Sequence, residues 1–236
     1  MGTVSPTRVR DALASASRSL RQQGFKPAIY VAGMIPAVWT YYLAETDQLG
    51  ADPVKVLERT LGLWGLRFLI LALCITPLRR FGGPNLLGYR RAIGLVAFFY
   101  AALHVTVYAW LDQDLDLGAI WGDIVKRPYI TVGLVALLIL IPLAVTSHDR
   151  MIKRMGAAAW QKLHRWVYLA SAAAALHFIM LVKSWPPEPL IYAGIVAALL
   201  AWRLRERSLK RARRSVKRGS GGGRPVADAA LARTEK

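Results

Sequence analysis

The chain has 236 residues, with 32 lysines and arginines against 14 acids, a net charge of +18, a 55% hydrophobic composition and a mean hydropathy of +0.32. Apolar residues in runs of about 20 exclude a soluble globular domain and point to an all-α membrane protein. The positive charge lies in loops and tails beside those runs, so membrane orientation explains it better than nucleic-acid binding, and a single cysteine, Cys74, excludes an intrachain disulfide.

Residues 1–26 form a polar, basic tail with no short apolar core and cleavage site, so the first span is expected to be the anchor itself. Span one is expected at about 27–44, ending in the interfacial aromatics Trp39, Tyr41 and Tyr42. An acidic loop with turn signals at Gly50 and Pro53 leads to span two, about 61–78, which contains Arg67 and stops at Arg79 and Arg80. Arg90 and Arg91 open span three, about 92–111, with His104 in its second half. The next loop carries Asp112, Asp114, Asp116 and Asp123, a candidate docking surface for a basic partner. Pro128 suits the first turn of span four, about 128–146, and Pro142 marks a bend.

A basic loop containing His148, read as solvated, precedes span five at about 163–182. A tight turn through Trp185, Pro186 and Pro187 leads to span six, about 189–204. The domain plan is a tail at 1–26, a six-helix bundle at 27–205 and a basic tail at 206–236, expected to be disordered around its SGGGRP segment. Six spans put both termini on one side. That side holds 26 of the 32 basic residues and 5 of the 14 acids, which makes it cytoplasmic.

Histidines carry the chemistry. His164 opens span five and His177 follows 13 residues later; Arg91 opens span three and His104 follows 13 residues later. Both spans run in the same direction, so His104 and His177 sit at similar depth, in the outer half of the membrane. Two imidazoles at matched depth on neighbouring helices suit the two faces of a b-type haem. Thirteen residues on an ideal helix fall roughly 140° short of whole turns, so His164 faces another neighbour unless the helix is kinked. The small residues Ala170 to Ala175 leave room for a flat macrocycle or for close helix packing. Arg67, near the depth of His104, is a candidate partner for a haem propionate, or it snorkels to the headgroups. Arg91, level with His164, completes the candidate cofactor-binding set of His104, His177, His164, Arg67 and Arg91, with the three histidines as metal ligands. One haem, or two, fits this set.

Several stretches resemble a known family. They are GADPVK at 50–55, ITPLRR at 75–80, RRAIGLVAFFYAALHVTVYAWLD at 90–112, KRPYITVG at 126–133, PLAVTS at 142–147 and WQKLHRWVYLASAAAALHF at 160–178. In this order they are similar to the MsrQ (YedZ) family, within the ferric-reductase-like transmembrane group; the resemblance covers about 27–205. It implies a haem-binding inner-membrane electron-transfer subunit, not itself the methionine sulfoxide reductase. Such a subunit takes electrons from the quinone pool, or from a cytosolic flavin reductase. It passes them to the periplasmic molybdopterin enzyme MsrP, which repairs methionine sulfoxide. The resemblance also implies FMN as a second cofactor, and it maps the family's haem histidines onto His104, His164 and His177. The NADPH oxidases of the wider group carry a cytosolic flavin domain; this basic C-terminal tail is too short and polar to fold as one. Two other readings of the scaffold are a transmembrane ferric or cupric reductase and a cofactor-free transporter or assembly subunit.

Overall fold

The computed structural model describes residues 26–181 and 186–220. The N-terminal tail, the turn at Trp185 and the stretch containing SGGGRP lie outside or at the edge of the described residues. All regular structure among those described is helical: α1 (Lys26–Glu45), α2 (Pro53–Arg80), α3 (Arg90–Val107), α4 (Leu117–Lys126), α5 (Pro128–Val145), α6 (Asp149–Met155), α7 (Ala157–His164), α8 (Val167–Leu181) and α9 (Pro187–Ser220). Among the described residues, four stretches are long and apolar enough to cross a membrane: Pro53–Arg80, Arg90–Asp112, Pro128–Val145 and Pro187–Ala212. Two compact units divide the chain at Val196. The second, from Ala197, continues as basic helix to Ser220.

Local chemistry sets the helix ends. Pro53 occupies the first turn of α2, where its missing N–H costs nothing, and the Asp52 carboxylate accepts from Lys55 N–H at 3.2 Å. This cap starts α2 two turns before the expected 61–78, because charged Lys55, Glu58 and Arg59 sit on a helix that outreaches its apolar stretch. Asp116 caps α4 through Gly118 N–H at 2.8 Å and Ala119 N–H at 3.1 Å. Beyond α3, one π-helical turn runs over Tyr108–Asp112, widening the ladder where the chain leaves the bundle.

The most extensive packing joins α2 to α3 and α5 to α8. α1 lies against α3 and α2, α3 also meets α5, and α2 also meets α8. At the α1–α3 crossing a β-carbon on Gly33 would fall 2.8 Å from Val96 Cγ1, so glycine is what lets the two helices approach. Tyr100 is fully buried there. Its hydroxyl accepts from Ala37 N–H at 2.9 Å and donates to Gly33 O at 2.7 Å, groups that stand four residues apart on one turn of α1. Large apolar side chains such as Trp39, Leu138 and Leu176 point outward, as lipid-facing surfaces do.

The span expected at 163–182 is not one helix. α7 ends at His164, the chain turns at Arg165 and Trp166, and α8 begins at Val167. Trp160 ties α7 to the end of α5, its indole N–H donating to Thr146 O at 2.9 Å; within α7 its ring stacks on His164 with centroids 3.8 Å apart. The tightened turn that follows carries i to i−3 bonds from Trp166 N–H to Leu163 O and from Tyr168 N–H to Arg165 O.

Candidate cofactor site

Four helices surround a cavity of about 450 Å³, each presenting a stripe at helical spacing. α2 contributes Arg59, Gly62, Leu66 and Leu69; α3 contributes Ala97, Ala101 and His104. α5 contributes Gly133, Leu137 and Leu140; α8 contributes Ala174, His177 and Leu181. Ile120 and Ile124 of α4 line it from one end. The walls are apolar and many of the residues small, which leaves a space suited to a flat apolar group. Charged residues line only the end near the 46–52 loop and α4: Lys55, Glu58, Arg59, Asp112 and Arg127.

His104 and His177 face each other across this space, with ring centroids 6.2 Å apart and planes at 71°. Each ring is held by a backbone carbonyl. His104 Nδ1 lies 2.9 Å from Glu58 O, and His177 Nδ1 lies 2.7 Å from Tyr129 O. A carbonyl can only accept, so Nδ1 carries the proton in both rings and Nε2 keeps its lone pair. Both carbonyls belong to the first turn or two of a helix, near the charged end. Two glycines make room for the rings. A β-carbon on Gly62 would lie 3.1 Å from His104 Nδ1, and one on Gly133 would lie 2.8 Å from His177 Nδ1.

This geometry fits a metal with two axial imidazoles. At a metal–nitrogen distance of about 2 Å, two coaxial imidazoles on one ion have centroids about 6 Å apart. Among the described residues no group of three or more His, Cys, Asp and Glu could hold a bare ion. A metal held by two histidines needs its remaining ligands from the bound group itself, as an equatorial macrocycle supplies. The carbonyl bonds fix ring orientation and raise ligand basicity.

The other candidates lie elsewhere. His164 does not line the cavity: its Nδ1 is 3.1 Å from Trp160 O, and its Nε2 is 3.2 Å from Leu143 O and 3.3 Å from Ser147 Oγ. The helix break at Arg165 does not swing it round to join His177. Arg67 turns away from the cavity. Its Nε donates to Tyr192 Oη at 2.8 Å, its guanidinium sits 4.8 Å from the Trp64 ring centroid, and Glu188 is 3.8 Å away. Neither the propionate nor the snorkelling reading anticipated a side chain spent on α9. Arg91 is ion-paired with Asp149 at the start of α6. His148 is exposed, with Nδ1 2.9 Å from Val145 O.

Three of the four loop acids are used internally. Asp112 pairs with Lys55 at 2.8 Å, Asp123 pairs with Arg127 at 3.2 Å and accepts from Tyr108 Oη at 3.0 Å, and Asp116 caps α4. Arg59, Arg127, Gly62 and Gly133 escaped the sequence reading. The stripe 55, 59, 62, 66, 69 was the available signal, once α2 is begun at Pro53.

Residues 61–175 match the family model described as ferric reductase like transmembrane component. The chain is 59% identical over 176 residues to proteins of Brucella ovis, Brucella suis and Brucella abortus, each described as protein-methionine-sulfoxide reductase heme-binding subunit MsrQ. The alignments cover 75% of this chain and 80% of each relative.

Proposed function

We propose a function from the premise that this chain belongs to the MsrQ family, whose members are multi-pass membrane proteins of the ferric-reductase-like group: it is the haem-binding membrane subunit of a protein-methionine-sulfoxide reductase. The four-helix cavity would hold a b-type haem, with the Nε2 lone pairs of His104 and His177 as its protein ligands. The observation that carries this is the facing pair of imidazoles, 6.2 Å between centroids, each with Nδ1 tied to a carbonyl. Bound there, haem supplies a one-electron carrier inside the bilayer.

The protein's own part is to hold both imidazoles as neutral ligands, to exclude water with apolar walls, and to leave Gly62 and Gly133 open behind the rings. A catalytic partner reduces the sulfoxide; this chain delivers electrons to it. Six spans with both termini cytoplasmic place the His104–His177 pair in the outer half of the inner membrane, and the one-sided distribution of basic residues supports that topology. The quinone pool, or a cytosolic flavin reductase, is then the donor side, and periplasmic MsrP the acceptor side. The axial pair is one site, and His164 stays outside it because its ring is spent on Leu143, Ser147 and Trp160.

Purified protein tests this directly. Haem should copurify, and reduced-minus-oxidised spectra should show a bis-imidazole b-type signature that oxidised MsrP discharges. A colourless protein, or a reduced haem that MsrP leaves untouched, would refute the assignment.

A further inference from the structure

We propose that Arg59 and Arg127 clamp the two carboxylate side chains of the macrocycle and thereby decide which way round it sits. The proposal rests on the cavity being the haem site. Haem is an apolar disc with two propionates on one edge, and the cavity has cations at one end only. Each arginine adjoins a carbonyl that orients an axial histidine: Arg59 follows Glu58, which holds His104, and Arg127 lies two residues before Tyr129, which holds His177. One arginine is thus placed beside each ligand, on opposite walls of the same charged end.

The other nearby cations are committed. Lys55 is held by Asp112 at 2.8 Å, and Arg67 lies outside the cavity against Tyr192 and Trp64. Arg59 has no ion-pair partner among the described residues, although it lines the cavity. Arg127 meets Asp123 through Nε at 3.2 Å and also reaches the Tyr129 side chain, a neutral partner that a carboxylate can displace from the guanidinium. A planar guanidinium matches a carboxylate with two parallel hydrogen bonds, and a disc inserted the other way round would bury both carboxylates among leucines and alanines.

The experiment measures haem loss from the full-length protein in detergent to an excess of a haem-scavenging apoprotein, with Arg59→Gln, Arg127→Gln, the double variant and Arg67→Gln. The same proteins are then stripped and reloaded with haem dimethyl ester, which lacks the charges. Each of the first two substitutions should speed loss of natural haem by about tenfold, the size of one charge-assisted bond. The bis-imidazole spectrum should persist, and Arg67→Gln should match wild type. With the ester, all variants should lose pigment at the wild-type rate. Wild-type rates for natural haem in both Arg59→Gln and Arg127→Gln, or an equal acceleration with the ester, would overturn the clamp while leaving the haem site standing. A wild-type chain that takes up neither pigment overturns the haem site itself.

Discussion

The His177 imidazole rests on the bare α-carbon of Gly133, where an added β-carbon would come within 2.8 Å of Nδ1. That contact and the bond to Tyr129 O fix the ring from two sides. Gly133→Ala should therefore push the ring off its axis, at about 1–3 kcal/mol, the usual cost of overpacking. Haem content should fall and the low-spin signal should broaden. Gly62→Ala, with 3.1 Å to His104, should do the same more mildly. A Gly133→Ala protein with wild-type haem content and spectrum would separate the ring from the glycine.

Removing a ligand is more severe. His104→Ala and His177→Ala should each abolish the bis-imidazole spectrum and most of the bound haem, because the remaining imidazole cannot fill both axial positions. His148→Ala should leave both intact, since that ring is exposed and bonded only to Val145 O among the described residues. Haem-to-protein ratios on the three proteins decide the matter, and full retention in both ligand variants contradicts the pairing.

Tyr100 separates packing from hydrogen bonding. Tyr100→Phe removes a hydroxyl that both accepts from Ala37 and donates to Gly33, but those two groups are an i, i−4 pair that an α-helix bonds internally. The loss should be about 0.5–1.5 kcal/mol. Tyr100→Ala leaves a ring-sized hole beside Leu57, Leu61 and Val96 and should cost about 3–5 kcal/mol. Thermal unfolding in detergent should rank them in that order; equal damage would mean the hydroxyl is indispensable.

Topology is checked by reporter fusions. Fusions after Arg80 and Arg205 should report cytoplasm, and those near Asp52 and Asp116 should report periplasm, following the placement of the basic residues. A periplasmic C-terminus would overturn the six-span count.

The histidine pair was legible in the sequence because depth in a membrane is counted in residues. Two equal spacings on helices of like direction placed His104 and His177 level before any contact was known. Side-chain direction was not legible. Arg67 lies near the right depth, yet its azimuth sends it to Tyr192 on α9. Arg59 was hidden because a hydropathy window ends a span at the first charges, whereas the Asp52 cap carries the helix two turns further. The position of the break after His164 was also hidden, since no proline or glycine marks it. The loop acids looked like a free negative surface. Lys55, 57 positions away, claims Asp112, while Tyr108 and Arg127 share Asp123, and no count of charge reveals that.

The Tyr100 hydroxyl also fixes the register at which α1 and α3 meet. Its oxygen accepts from Ala37 N–H and donates to Gly33 O, two groups one helical turn apart, so both bonds are met at a single axial position. Sliding α3 one turn along α1 would carry the phenol away from both groups and leave a buried hydroxyl without them, at a cost of about 1–3 kcal/mol. Recognition between these two helices is therefore a lock with a single key position, set by one oxygen atom.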